Sequence, residues 1–298
     1  MIEYILDYLK NNDVEYKEYA DLSLISAIRI GGIGRIVAYP RNIKQLIDVL
    51  GVLHAFGVSY KVVGAGSNLL FSSDYFHGVI VRTVKISGLI NFEDHVEIGC
   101  GAVLPGVIRS LARSGLGGAE QLAHIPGSVG GMIYGNAGAY GLEISDIILF
   151  ADVYDSKSGE ILRLNKSDMG FDYRNSIFKS GKFIILGAGF RFMPKDSDLI
   201  LSEIKCFGDM RSQSQPIGIP SLGSIFKRTG GVSAGKLIDE AGLKGYRIGG
   251  AAISEKHAGF IVNLGGASAT DTLSLINFVK KRVFDVFGVM LEEEIEIV

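Results

Sequence analysis

Residues 125 to 141 read IPGSVGGMIYGNAGAYG, with glycine at positions 127, 130, 131, 135, 138 and 141. Glycine is favoured where the main chain needs a positive φ or must come close to another group, and it weakens ordinary helices and strands. A flexible linker would combine glycine with serine and few apolar residues. Here six apolar residues are interleaved with the glycines: Ile125, Val129, Met132, Ile133, Tyr134 and Tyr140. The stretch, called the glycine segment below, therefore predicts an ordered main chain that binds a ligand.

The composition around this segment is that of a folded globular protein. The chain has 298 residues, 47% of them hydrophobic and 21% charged, and its length suits two or three compact units. A net charge of −2, from 30 basic and 32 acidic residues, provides no broad positive surface for a nucleic-acid backbone. Cys100 and Cys206 match neither a disulfide framework nor a metal-ligand spacing, so we expect a reducing compartment and no metal site.

The N-terminal stretch MIEYILDYLKNN contains Glu3 and Asp7 and lacks a basic region, so it is typical of an amphipathic helix and not of a signal peptide. No uncharged apolar run approaches the roughly 20 residues that a membrane helix needs. We therefore expect a cytoplasmic protein that binds neither membranes nor nucleic acid.

Short β-branched segments alternate with helical patterns along the chain. Strands are expected near 36–39, 60–63, 79–84, 96–99, 146–155, 160–165, 182–192 and 289–298, and helices near 1–12, 43–53, 103–114, 233–241 and 270–287. One face of the last helix is expected to carry Leu273, Ile276, Val279, Val283 and Val286, whereas residues 212–224 have the composition of a loop. The pattern predicts an α+β protein with two mixed subdomains, 1–85 and 86–205, followed by a C-terminal domain, 206–298.

The stretch YKVVGAGSNLLF, residues 60–71, passes from a strand into Gly64 and Gly66, as a dinucleotide-binding fingerprint does. The Rossmann pattern also needs a small residue at its sixth position and a following helix, but position 69 is leucine and an extended segment follows. Ser67 and Asn68 add a hydroxyl, an amide and successive N–H groups, which can hold a diphosphate. One dinucleotide cofactor could therefore lie between this turn and the glycine segment.

Three polar motifs remain: FDYRNS (171–176), SLGSIFKR (221–228) and EEEIE (292–296). Each also has a structural interpretation, as a surface ion pair, a turn and a solvated face respectively. Strand alternation would place Ile295 and Ile297 on one face and the acids at 292, 294 and 296 on the other, which does not choose among the acids. His124 and His257 lack the partners of a metal site or a hydrolytic triad.

Seven motifs follow one another along the chain: RIGG (29–32), VVGAGSNLL (62–70), the glycine segment, DYRNSIFK (172–179), PSLGSIFKR (220–228), AGKLIDEAGLKGYRIGGAAISEKHAGFIVN (234–263) and LEEEI (291–295). In this order they resemble the UDP-N-acetylenolpyruvoylglucosamine reductases, flavoenzymes of bacterial cell-wall precursor synthesis. The resemblance implies a two-subdomain FAD-binding region of the vanillyl-alcohol-oxidase type and a C-terminal substrate-binding domain. The direct run from the YR motif into a strand is similar to the shorter subgroup, which lacks a tyrosine-bearing insertion.

The resemblance also implies a reaction. UDP-N-acetylglucosamine enolpyruvate would be reduced to UDP-N-acetylmuramate by non-covalent FAD, with NADPH as co-substrate: hydride reaches the vinyl carbon, and the neighbouring carbon is then protonated. The family's cation, which stabilises the substrate carboxylate, falls on Arg174. Its proton donor falls on Ser224, and its catalytic acid falls on Glu294, which would hydrogen-bond the enolised carboxylate.

The binding positions follow from the same resemblance. The implied FAD contacts lie in two stretches: Gly64, Ala65, Gly66, Ser67, Asn68, Ile125, Pro126, Gly127, Ser128, Gly131, Asn136, Ala137 and Gly138. The implied substrate contacts are Tyr173, Lys227, Arg228 and His257, with a structural role equally open for Lys227. Departures from the family pattern at Leu222, Thr229 and Gly259 are expected to alter the loop around the substrate. His124, beside the glycine segment, is the position at which covalent flavin attachment would have to be excluded.

Two other functions are compatible with parts of this pattern. One is another FAD-dependent sugar or lactone oxidoreductase of the same fold, which would lack the set Arg174, Ser224 and Glu294. The other is a non-catalytic nucleotide-binding protein, which would have no need to retain those three residues.

Overall fold

The computed structural model of the chain describes residues 2–298 and divides into two compact units, each discontinuous in sequence. Unit 1 comprises the residues up to Tyr19, Arg35–Ala65 and His77–Asp209. Unit 2 comprises Ala20–Gly34, Gly66–Phe76 and Met210–Val298. The division into 1–85, 86–205 and 206–298 stays a prediction.

The predicted α+β class is confirmed by the elements of the described chain. The helices are α1 (Ile2–Asn11), α2 (Ile43–Ala55), α3 (Leu104–Arg113), α4 (Val129–Tyr134), α5 (Ile144–Ile147), α6 (Ser197–Ser214), α7 (Ala234–Glu240) and α8 (Ala269–Phe287). The first strands are β1 (Glu15–Asp21), β2 (Ile33–Tyr39), β3 (Tyr60–Val63), β4 (Leu69–Leu70), β5 (Tyr75–Arg82), β6 (Leu89–Asn91), β7 (Val96–Gly99), β8 (Leu116–Gly117), β9 (Gly138–Ala139) and β10 (Leu142–Glu143). They are followed by β11 (Ile148–Asp155), β12 (Ile161–Asn165), β13 (Phe183–Phe190), β14 (Met193–Pro194), β15 (Ser221–Ser224), β16 (Arg247–Ile248), β17 (Ala251–Ile253), β18 (Phe260–Asn263) and β19 (Glu296–Ile297). None of the helices within residues 2–298 is long and apolar enough to cross a membrane.

Unit 1 contains two sheets of four and five strands, besides the two-stranded pairs β9–β10 and β8–β14. One has the strand order β1-β2-β5-β3, with β3 and β5 parallel, and the other has the order β12-β11-β13-β7-β6. Strand β13 lies in the interior of the five-stranded sheet and is buried at all eight positions, as its unbroken sequence of apolar and small residues requires. Helices α1 and α2 bury Ile5, Leu9 and Leu50 in the same core, so the amphipathic pattern predicted for the N-terminus is confirmed.

Unit 2 is built around the antiparallel sheet β15-β18-β17-β16. Helix α8 begins at a capping box in which Ser268 and Asp271 bond each other's main-chain N–H groups, and it ends at Gly288, whose φ of 69° suits glycine. Ile276 and Val279 are buried as expected, but Val286 is 45% exposed, because the predicted apolar face drifts out of the core over the last turn.

Two sequence-based expectations were wrong. Helix α6 was missed, and it runs through the expected boundary at 205/206, because only Ile200 and Ile204 of its eighteen residues are buried and the apolar period is weak. Residues 221–224, expected in a loop, form β15.

The last strand is also shorter than expected: Glu296 and Ile297 pair in parallel with β4, and Glu293 forms an isolated bridge with Phe226. Ile295 is 7% exposed and Ile297 is 42% exposed, so the two do not share a buried face. Period-2 alternation fails where the chain is not a continuous strand.

Candidate active site

The turn at residues 64–66 is defined by two close approaches that require glycine. A Cβ on Gly64 would lie 2.0 Å from the Oγ of Ser128, so the turn and the glycine segment touch within unit 1. Gly66, within unit 2, has a φ of 72°, and a Cβ there would lie 2.0 Å from the main-chain oxygen of Ile25. Strand β4 follows at Leu69–Leu70, which confirms that this turn is not a Rossmann fingerprint.

Asn68 connects the turn to the C-terminal acids, and these residues all lie in unit 2. The side-chain Nδ2 of Asn68 donates to the main-chain oxygen of Glu294 at 3.0 Å, and the N–H of Glu296 donates to the main-chain oxygen of Asn68 at 2.9 Å. The N–H of Glu294 donates to the oxygen of Ile225 at 2.8 Å. Since Ile225 follows Ser224 directly, this network brings three predicted site residues together: Asn68, Ser224 and Glu294.

The three consecutive acids at 292–294 are held differently. Glu292 is ion-paired with Lys227, and both carboxylate oxygens of Glu293 accept from Lys280 of α8, at 2.8 and 3.0 Å. Glu294 is held through its main chain on both sides. Lys227, predicted to meet the substrate, therefore has a carboxylate partner in this structure, as its structural interpretation requires.

Ser224 pairs with Phe260 in the sheet of unit 2 and lies near His257. A Cβ on Gly259 would lie 3.3 Å from the Oγ of Ser224 and 3.0 Å from Cε1 of His257. Gly259, one of the positions that depart from the family pattern, thus leaves room for the side chains of Ser224 and His257. The N–H of Gly259 donates to Nδ1 of His257 at 3.1 Å, and burial lowers the pKa of His257 below its ordinary value. At neutral pH the lowered pKa favours the neutral imidazole, and because Nδ1 accepts from Gly259, the proton of that form lies on Nε2.

The glycine segment contains helix α4, which begins at Ser128. The Ser128 Oγ accepts from the N–H of Gly131 at 3.4 Å, while the N–H groups of Val129 and Gly130 donate to the oxygens of Ala102 and Cys100. The segment therefore folds back on the protein at its helix start. A Cβ on Gly130 would lie 3.2 Å from the main-chain oxygen of Cys100, which accounts for glycine at that position.

The other end of the segment is organised by Arg174, within unit 1. Its Nη2 donates to the oxygen of Gly138 at 2.9 Å, and its Nη1 donates to the oxygen of Asn136 at 3.2 Å and to Oε1 of Glu143 at 3.3 Å. Asn136 is 1% exposed. Its amide donates to Oε2 of Glu143 and to the oxygen of Asp172, and its Oδ1 accepts from Ser145. The side chain of Asn136 therefore organises the protein at this point.

Two further residues were predicted to contact the substrate, Tyr173 in unit 1 and Arg228 in unit 2. Tyr173 is 39% exposed, and its ring lies 5.0 Å from the guanidinium carbon of Arg174. Arg228 is exposed. Both stay predictions as substrate contacts.

His124 has both ring nitrogens engaged. Its Nε2 lies 2.9 Å from the main-chain oxygen of Ile204, and its Nδ1 lies 3.3 Å from Nη2 of Arg109. A Cβ on Gly208 of α6 would lie 2.7 Å from the ring. The ring therefore packs against α6, and its nitrogens are not presented for covalent attachment of a flavin.

The residues of the glycine segment fit a bound flavin dinucleotide. A Cβ on Gly131 would meet only the Ser128 Oγ within 4 Å, at 3.4 Å, and one on Gly135 would meet only the oxygen of Gly131, at 3.7 Å. This flank of α4 is bare main chain, next to the turn that carries Gly64, and it lets a flat polar ring approach the main chain closely.

Sequence reasoning missed Glu143 and Lys280 as parts of the candidate site. The position of Glu143 opposite Gly138 in the β9–β10 hairpin is visible only once the strands are paired. Lys280 lies on a helical face where charged residues are ordinary.

Comparison with known proteins identifies two domains in this chain. Residues 34–165 match the FAD binding domain, and residues 215–298 match the UDP-N-acetylenolpyruvoylglucosamine reductase, C-terminal domain. The UDP-N-acetylenolpyruvoylglucosamine reductase of Caldicellulosiruptor bescii is 43% identical over 98% of this chain and 93% of its own length. That of Thermosipho melanesiensis is 41% identical over 96% of each.

The same relationship holds in three dimensions. The crystal structure of the reductase from Thermus caldophilus is 31% identical and superimposes with a TM-score of 0.79, covering 95% of this chain and 98% of that chain. The seven motifs, the matched domains and this similarity along nearly the full length lead to one conclusion: the chain belongs to the UDP-N-acetylenolpyruvoylglucosamine reductase family.

Proposed function

We infer that the protein reduces UDP-N-acetylglucosamine enolpyruvate to UDP-N-acetylmuramate, with FAD as cofactor and NADPH as co-substrate. Family membership along nearly the full chain supports this reaction. The observation that carries the inference is the hydrogen bond from Glu294 to Ile225, at 2.8 Å. It joins the strand that ends at Ser224 to the acid that sequence alternation could not select.

The bound flavin would supply hydride transfer from NADPH to the enolpyruvyl group, and the residues of this chain would bind, orient and protonate. Arg174 would hold the substrate carboxylate, because a guanidinium suits the charge that develops there. Ser224 would donate the proton to the carbon next to the carboxylate, since its hydroxyl is protonated at neutral pH and an enolate carbon is strongly basic. Glu294 would hydrogen-bond the enolised carboxylate.

The other predicted site residues would bind FAD or the sugar nucleotide. The turn 64–68 and the glycine segment would contact FAD through main-chain N–H groups, and Tyr173, Arg228 and His257 would contact the sugar nucleotide. His257 would act as a donor through Nε2, because its Nδ1 accepts from Gly259. Lys227 would reach a diphosphate only by leaving Glu292.

The test separates the two half-reactions under anaerobic conditions. Reduced, FAD-loaded protein is mixed with UDP-N-acetylglucosamine enolpyruvate, and the return of the oxidised flavin absorbance is followed. We expect rapid return in the wild type. In Ser224→Ala, flavin reduction by NADPH should persist while reoxidation by substrate falls by roughly 100-fold or more. If only oxygen restores the absorbance in the wild type, the protein is a different flavin oxidoreductase. If Ser224→Ala reoxidises normally, Ser224 is not the proton donor.

A further inference from the structure

We propose that Glu143 is a positioning residue for Arg174, and that Gly138, opposite Glu143 in its hairpin, lacks a side chain so that the two strands can approach closely. This inference rests on the proposed function, because Arg174 matters here as the group that would hold the substrate carboxylate. Glu143 would act through Arg174 and not on the substrate itself. Its role would be to hold the guanidinium in one orientation.

The first support is the way the carboxylate divides its contacts. Its Oε1 accepts from Nη1 of Arg174 at 3.3 Å, and its Oε2 accepts from Nδ2 of Asn136 at 2.8 Å. The main-chain oxygen of Asn136 accepts from the same Nη1 at 3.2 Å. Glu143, Asn136 and Arg174 therefore close a ring of hydrogen bonds in which each residue fixes the other two.

The second support is the hairpin in which Glu143 lies. Gly138 and Glu143 are opposite each other in the β9–β10 pair. A Cβ on Gly138 would lie 2.7 Å from Cγ of Glu143 and 2.7 Å from the main-chain oxygen of Leu142, so any other residue would force the two strands apart and shift Glu143. The oxygen of Gly138 accepts from Nη2 of Arg174 at 2.9 Å. The close strand pairing that Gly138 allows thus brings Glu143 and an acceptor for Arg174 together.

The third support is backbone strain in the same part of unit 1. Asn136, Tyr140 and Arg174 have φ values of 41°, 53° and 51°, in the left-handed region that residues other than glycine rarely adopt. Such conformations are unfavourable and persist where the surroundings over-determine them. The hydrogen-bond ring supplies that constraint for Asn136 and Arg174.

The charges predict how loss of Glu143 would show itself. A carboxylate beside the guanidinium weakens its attraction for an anionic substrate, so removing the charge would leave KM for the enolpyruvyl substrate unchanged or lower. Loss of orientation would lower kcat, because a misplaced binding group costs catalysis more than affinity. Loss of a residue with a merely structural role would not lower kcat while leaving KM unchanged or lower.

The experiment compares Glu143→Gln with Asp152→Asn in the half-reactions described above. Asp152 is the matched control: it pairs with Arg163 in the same unit, and its side chain is 33% exposed against 34% for Glu143. We expect Glu143→Gln to slow reoxidation by substrate by roughly 10- to 100-fold, with flavin reduction by NADPH nearly unchanged. Asp152→Asn should behave as wild type in both, because neither Asp152 nor its partner Arg163 is among the predicted site residues.

A double-mutant cycle with Arg174→Lys tests the route of the effect. If Glu143 acts through Arg174, Glu143→Gln should have much less effect in the Arg174→Lys background. Fully multiplicative effects, or wild-type reoxidation in Glu143→Gln, would overturn the proposal. Should Glu143→Gln lose its flavin, Glu143→Asp replaces it: the shorter carboxylate cannot serve Arg174 and Asn136 together, so normal reoxidation in that variant would also refute the inference. Failure of the wild type to be reoxidised by substrate would instead refute the proposed function, and the inference with it.

Discussion

The side-chain amide of Asn68 donates a 3.0 Å hydrogen bond to the main-chain oxygen of Glu294, across 226 positions of sequence. Asn68 lies in the turn that was predicted to bind the cofactor, and Glu294 is the predicted catalytic acid. The bond means that a residue expected to contact FAD uses its side chain to hold the C-terminal segment. We therefore expect cofactor binding and placement of the acid to be coupled through Asn68.

Removal of this amide should affect the acid more than the cofactor. We expect Asn68→Ala to slow reoxidation of the reduced flavin by substrate about fivefold, since one such bond contributes about 1 kcal/mol, with a smaller change in FAD affinity. Stopped-flow absorbance and flavin titration measure the two quantities. Asn12→Ala is the control, because it also removes an amide-to-carbonyl bond, to Tyr8 at the exposed end of α1. A loss of FAD affinity without slower reoxidation would contradict the coupling.

The contact between Gly64 and Ser128 makes a prediction about the fold of the FAD-binding part. In Gly64→Ala the new Cβ would displace the Ser128 Oγ, which caps α4, so we expect a loss of about 1–3 kcal/mol in the free energy of unfolding and a lower flavin content. Adding Ser128→Ala should restore part of the flavin content, because the hydroxyl is the closest atom. Gly88→Ala is the control, since no atom lies within 4 Å of a Cβ there. If Gly64→Ala were as stable as Gly88→Ala, this account would be refuted.

Burial of His257 predicts a pH dependence of stability. Because burial lowers its pKa in the folded state below the ordinary 6.5, the unfolded chain binds the proton more readily. Its contribution is fully present above pH 6.5 and is lost as the pH falls through the folded-state pKa. Urea unfolding at pH 7.5 and pH 5.5 should therefore show a smaller loss of stability on acidification in His257→Gln than in wild type. His54→Gln, at an exposed histidine of α2, should keep the wild-type difference, and an unchanged difference in His257→Gln would contradict the prediction.

The Lys280–Glu293 ion pair should help to hold the segment of Glu294. Lys280→Met would leave the partly buried Glu293 carboxylate without its two hydrogen bonds, and we expect slower reoxidation by substrate, by about 3- to 10-fold. Lys281→Met is the matched control on the same helix, because Lys281 pairs with Asp285 where both side chains are well exposed. Indistinguishable kinetics in the two variants would show that the pair does not position the acid.

Several elements could be predicted from local sequence because local physics determines them. Helix α2 and strand β3 begin where they were expected, and α8 begins one residue before the expected start at Thr270, since caps, apolar periodicity and turn residues act over a few positions. Helix α6 could not be predicted, because its few buried contacts leave almost no periodic signal in the sequence.

The candidate site also has features that the sequence determined and features that only the tertiary structure decided. The sequence by itself determined the motif order, and with it the family, and it determined that residues 64–68 and 125–141 would be glycine-rich main chain. Only the tertiary structure decided what the glycines do: Gly64 makes room for Ser128, and Gly138 makes room for the opposite strand at Leu142 and Glu143. It also decided how Glu294 is held, between Ile225 and Asn68. Those contacts join positions far apart in the chain, and no local pattern records which hydrogen bonds the packed main chain will close.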